Sequence, residues 1–138
     1  MADTAPRATA TGPGRVLIAV YGVFALSATA RAGVQIATKF AEAPVPYLLS
    51  ALAAVVYILA TIGLAGTGAW ARRLAWTAVL FELVGVLTIG TVTLVGSESF
   101  PDDTVWSVYG RGYGFVPLVL PFVGVWWLWR TRAAEPTR

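Results

Sequence analysis

Along the chain, apolar positions gather into four long stretches separated by short polar breaks, a pattern that predicts helices rather than strands. From Val16 to Ala30 there is no charged residue. That run would make about 22 Å of helix, short of the roughly 30 Å of a bilayer's hydrocarbon, so a first helix must continue through Arg31 to cross. The second stretch, Pro44 to Ala71, is long enough to span. Pro44 and Pro46 suit its start, where a missing N–H costs nothing, and Gly63, Gly66 and Gly68 mark its far end. Arg72 and Arg73 read as a tight turn into the third stretch, Leu74 to Val95, which is apolar apart from Glu82 and scattered threonines. The connection from Gly96 to Gly112 is the longest and most varied. Within it, Pro101-Asp102-Asp103-Thr104 predicts the start of a short interfacial helix carrying Trp106 and Tyr109, with the acids at the positive end of its dipole. The fourth stretch runs from about Tyr113 to Trp129, with a kink expected where Pro121 cannot bond the carbonyl of Pro117.

The expected fold is all-α, a membrane-embedded antiparallel four-transmembrane-helix bundle. Its helices fall at about 16–38, 46–68, 74–96 and 113–130, with an external loop at 97–112 and cytoplasmic tails at 1–14 and 133–138. Composition supports lipid as the solvent: 57% of residues are hydrophobic and 12% charged, against about a quarter charged in ordinary soluble domains. A globule of this size cannot bury such an excess. The net charge of +3 is better read as topology than as a nucleic-acid surface, because the arginines sit at the ends of apolar runs. Arg7, Arg15, Arg72, Arg73, Arg130, Arg132 and Arg138 fall on one side, and Lys39 and Arg111 on the other with Glu42, Glu98, Asp102 and Asp103. The positive-inside rule then places both termini in the cytoplasm, and in a bacterium the membrane would be the inner one. A cleavable signal, with Arg7 and Arg15 before Val16 to Leu26 and an Ala28-Thr29-Ala30 site, is the competing reading. It would strand an odd number of spans with the wrong charge bias.

The chain has no cysteine and no histidine, which removes disulfides, thiol chemistry, the usual zinc sites and imidazole catalysis. No cofactor and no metal are expected. Trp126, Trp127 and Trp129 beside Arg130 and Arg132 have the make-up of a membrane interface.

Two features carry candidate chemistry. In the first helix Ser27, Arg31, Gln35 and Lys39 recur every four residues as a polar stripe, with Gly22, Ala25, Thr29 and Ala32 as a packing seam on the other side. The stripe could line a site for an anionic lipid headgroup or substrate, or could mark where the helix leaves the membrane. The stronger anomaly is Glu82, about 13 Å along the third helix from Arg73. An intramembrane carboxylate costs about 3 kcal/mol at a helix centre unless it is paired or protonated. Arg31 differs from it in depth by about 11 Å, so hydroxyl partners are expected instead: Thr61 at the same depth, with Tyr21, Ser27 and Tyr57 close by. In the outer loop Glu98, Asp102, Asp103 and Arg111 offer charge but no nucleophile and base, which argues against an enzyme. Gly110-Arg111-Gly112-Tyr113-Gly114 does not follow a strand or end in a Lys-Ser pair, so it reads as a hinge rather than a phosphate loop.

Together the segments FALSATAR, PYLLSALAAVVYILAT, FELVGVL and FPDDTVWSVYGRGYGFVPLVLP resemble a group of small four-helix integral membrane proteins of unknown function predicted from actinobacterial genomes. The resemblance would cover Val16 to Arg132 and implies a topology and a bacterial source, with no mechanism. The function expected is that of a small accessory or scaffolding membrane protein, acting through helix packing and its external loop. An oligomeric transporter or channel centred on Glu82, and a lipid-binding or lipid-modifying protein, are the alternatives. The partners expected are the bilayer, an anionic lipid, and another membrane protein or a second copy, with no nucleic acid.

Overall fold

Prolines start three of the four helices and glycines end two of them, so the local chemistry of the breaks sets the architecture. The computed structural model describes residues 12–96 and 100–132, and the remainder of both tails, with Glu98, lies outside the described residues. Helix α1 spans Pro13–Lys39, α2 Pro44–Ala65, α3 Gly68–Val95 and α4 Val116–Arg130, and no strand occurs among the described residues. Proline occupies the first turn of α1, α2 and α4, where its absent N–H leaves no bond unmade. A single tight turn, Phe40–Glu42, links α1 to α2. α2 ends where the Gly66 N–H bonds the Ile62 carbonyl.

α3 begins at Gly68 rather than at Leu74, which corrects the expected Arg72-Arg73 turn. Charges mark where a chain leaves lipid, not where a helix starts, and arginine is a good helix former. The turn is made instead by Gly66 and the extended Thr67. Arg72 reaches across to α4, donating to the Leu128 carbonyl and to Thr131 at 3.4 Å. α2 and α3 then approach until their backbones touch: a Cβ on Gly63 would lie 2.5 Å from the Ala75 nitrogen. On α1 the buried seam is Leu17, Tyr21, Ala25, Ala28, Ala32 and Gln35, so Ala25 and Ala32 belong to it while Thr29 faces outward.

Three helices are long and apolar enough to cross a membrane, and a fourth candidate is a broken one: Ser107–Tyr113 and α4 meet at a bend of 101°. α4 alone has 15 residues, about 22 Å of helix, too short for a bilayer's roughly 30 Å. The segment before it folds back against α3. Thr104, Val105, Trp106 and Ser107, within the expected external loop, are buried against the helices. The interfacial helix expected from Pro101 is absent. The segment turns helical only at Ser107, and Val108, Tyr109 and Gly110 within it have left-handed dihedrals. The physical reason is the size of Trp106: its ring fills the slot left by the missing side chain of Gly85, where a Cβ would sit 2.5 Å from the indole. That slot gives the apolar ring a packed site, as favourable for its faces as an interface would be.

The core is small side chains around a few large ones: Tyr21, Tyr57, Leu64, Val79, Val86, Trp106 and Leu128 are almost fully buried. Many large apolar side chains remain exposed, including Leu26 at 75% and Val95 at 81%. Trp126 and Trp129 face outward, with Arg130 and Arg132 stacked 5.6 Å and 3.9 Å from their ring centres, while Trp127 turns in.

Candidate functional site: a buried carboxyl beneath a folded loop

The inner face of α3 runs Ala71, Ala75, Ala78, Val79, Glu82, Val86, Gly90, Thr93, so helical spacing alone turns Glu82 into the core. It is completely buried. The Tyr21 hydroxyl, from the seam of α1, donates to its Oε1 at 2.5 Å, and Oε2 has no hydrogen-bond partner among the described residues. A carboxylate offers about four acceptor positions, so one donor leaves most of the cost of burial uncompensated. Tyr57 of α2 packs its ring 6.2 Å from that of Tyr21 and is itself fully buried. The Trp106 indole N–H donates to the Tyr57 hydroxyl at 3.0 Å. Tyr57 thus accepts from the loop and keeps its own hydrogen to give, in the same core where Glu82 Oε2 lacks a donor. Two buried hydrogen-bonded pairs, Trp106–Tyr57 and Tyr21–Glu82, thus meet through the contact of the two tyrosine rings and join the loop, α2, α1 and α3.

Of the hydroxyls expected around Glu82, Tyr21 is the one that binds it. Thr61 instead bonds the Tyr57 carbonyl of its own helix at 2.7 Å, as threonines commonly do inside helices. Ser27 is exposed on the outer side of α1 and takes no part. Arg31 serves the loop rather than the carboxyl: it donates to the Asp103 carbonyl at 2.9 Å and to the Tyr113 hydroxyl at 3.2 Å. The expected cation-lined stripe is accordingly split up. Gln35 is buried with its Oε1 unpartnered among the described residues, and Lys39 pairs with Asp102 at 3.7 Å.

Asp102 accepts from the Tyr47 hydroxyl at 2.7 Å and from the Asp103 backbone N–H at 2.8 Å. The Tyr47 bond, with help from the Asp103 amide and Lys39, holds its carboxyl below the usual range. Its role is to anchor the loop to the ends of α1 and α2, not to cap a helix. Asp103 and Arg111 are exposed. Glu98 lies outside the described residues.

The loop is held further in by two threonines of α3 that nothing in the sequence singles out. Thr93 accepts from the Val108 N–H at 2.7 Å, and Thr91 and Tyr109 share a hydrogen bond of 2.7 Å. The Tyr109 ring lies directly on Gly90. Val108, Tyr109 and Phe115 all have positive φ, at about 1–2 kcal/mol each for L residues. Such strain persists only where surrounding contacts over-determine it. The available signal was Gly85 and Gly90 inside an apolar helix, since a helical glycine costs about 1 kcal/mol and usually has a packing reason.

Apolar grooves flank this centre. One of about 530 Å³ lies between α1 and α4, lined by residues that include Leu17, Val20, Val119 and Val123. It continues along α1 past Arg15. Another, between α2 and α3, is lined by Leu52, Val55, Leu59 and Phe81 among others. Glu82 lines none of the three. No protein-family model, no curated protein and no solved structure matches the chain.

Proposed function

We propose that the chain is a multi-pass integral membrane protein with an antiparallel four-span topology and both termini on the arginine-rich, cytoplasmic side. Its proposed role is that of a small accessory or scaffolding protein, offering its folded outer loop and lipid-facing helices to another membrane protein. One observation carries this reading: the loop is keyed into the bundle by Trp106 on Tyr57, Arg31 on Asp103 and Tyr113, and Tyr109 on Thr91. A loop so fixed presents Asp103, Arg111 and Phe115 in a constant arrangement, and a pre-ordered surface loses less entropy on binding than a flexible one. The test is a mild-detergent pull-down of the full chain, comparing the wild type with Trp106→Ala. A defined protein partner that is lost with the variant supports the proposal. Recovery of no partner, together with solute flux in liposomes that depends on Glu82, overturns it.

A second reading, a proton or cation carrier centred on Glu82, is favoured by the unpartnered Oε2, because a buried ionisable group with a free lone pair marks ion pathways in membranes. Its distinguishing result is flux abolished by Glu82→Gln and preserved in Trp106→Ala.

A further inference from the structure

On the reading that this chain lies in a membrane, we infer that the α1/α4 groove binds one anionic phospholipid, with an acyl chain between the helices and the phosphate on Arg15. The groove runs where α1, from Pro13 to Val20, faces the first half of α4, from Val116 to Val123. Valines line both walls, and their short side chains leave the space between them unfilled.

Lining and shape suit the occupant. The groove holds about 530 Å³ and both its walls are apolar, and a flexible hydrocarbon chain follows such a wall without needing hydrogen-bond partners.

Charge selects the headgroup. Arg15 lines the adjoining stretch of the groove with Val16, Val20 and Val116, the last three being shared by both stretches, so the cation and the chain site are continuous. Arg15 is exposed, and the ion pair found among the described residues, Lys39–Asp102, lies at the opposite end of α1. Arg72 and Arg73 begin α3 and Arg130 and Arg132 end α4, so by chain order the other arginines fall at the same end of the bundle as Arg15. The headgroup site anticipated from sequence lay on the stripe of Ser27, Arg31, Gln35 and Lys39, but Arg31 and Lys39 are engaged by the loop.

The test reconstitutes the full chain in nanodiscs made from phosphatidylglycerol and phosphatidylcholine, extracts it gently, and measures retained lipid by native mass spectrometry. The wild type should retain a single phosphatidylglycerol. Arg15→Gln should lower the preference for it over phosphatidylcholine about fivefold, as one surface cation contributes, and Arg15→Lys should restore it. Val119→Trp, which fills the groove, should remove bound lipid of both kinds. Equal retention by the wild type, Arg15→Gln and Val119→Trp overturns the inference, and so does a polypeptide occupying the groove in place of lipid. A chain that stays in solution without detergent would instead overturn the membrane reading itself.

Discussion

Replacing Tyr21 by Phe removes one oxygen from the core and leaves the ring in place, which makes it the cleanest probe of how Glu82 is tolerated. The Tyr21 hydroxyl is the single hydrogen-bond donor to a carboxyl that is otherwise sealed in, with Oε2 unpartnered among the described residues. A buried polar group stripped of its partner costs about 1–3 kcal/mol, and a charged one more, so Tyr21→Phe should destabilise the fold by about 2–3 kcal/mol. The same change in a Glu82→Leu background should be near neutral, because the hydroxyl then has no acceptor and the pair is replaced by apolar groups. A double-mutant cycle from reversible unfolding in mixed micelles should return a coupling of about 2 kcal/mol. A Tyr21→Phe cost below about 0.5 kcal/mol, or equal costs in both backgrounds, would refute the argument that this bond is what keeps Glu82 in the core.

Gly85→Ala should cost about 1–3 kcal/mol by overpacking, because its Cβ would meet the Trp106 ring at 2.5 Å; freed from the bundle, the loop should be cut faster by trypsin after Arg111. Arg31→Gln should likewise quicken that cleavage, since the Asp103 carbonyl and Tyr113 lose their common donor, while the unfolding of α2 and α3 changes little. The Asp102 carboxyl, held below its ordinary value chiefly by Tyr47, stabilises the loop fully above the unfolded carboxylate range of about 3.9. That stability is lost as pH falls through the depressed native value, so loop opening, read from hydrogen exchange of the Val108 amide corrected for its intrinsic rate, should rise below about pH 4 in the wild type. In Asp102→Asn it should be raised already at neutral pH and vary little with acid.

Helix positions were legible because proline and glycine punctuate the apolar runs. Pro44 and Pro46 begin α2, and Gly66 ends it. Glu82 stood out for a similar reason, as an acid flanked by apolar residues. The identity of its partner did not follow, because depth along a helix says nothing of rotation about its axis. Thr61 and Ser27 lie at suitable depths, yet one bonds its own backbone and the other faces away, while Tyr21 falls on the buried seam. The fate of the loop was hidden more deeply. Tryptophan and tyrosine near the end of a span suit an interface as well as a slot in the core, and only the opposing Gly85 and Gly90 distinguish the two. Left-handed dihedrals at Val108 and Tyr109 have no signature in the residues that adopt them, since contacts made elsewhere impose them.

The proposed topology has four spans crossing a membrane, with the segment before α4 folded against the bundle as part of the fourth. Because the chain has no native cysteine, single-cysteine variants labelled by a membrane-impermeant maleimide in sealed, right-side-out vesicles test this directly. Arg111→Cys, on an exposed residue, should label at once, and Thr67→Cys, in the α2–α3 turn, only after the vesicles are opened. Val105→Cys, on a residue 1% exposed, should stay unlabelled until the protein is denatured. Labelling of Val105→Cys as fast as Arg111→Cys, or of Thr67→Cys from the same side as Arg111→Cys, would contradict the account.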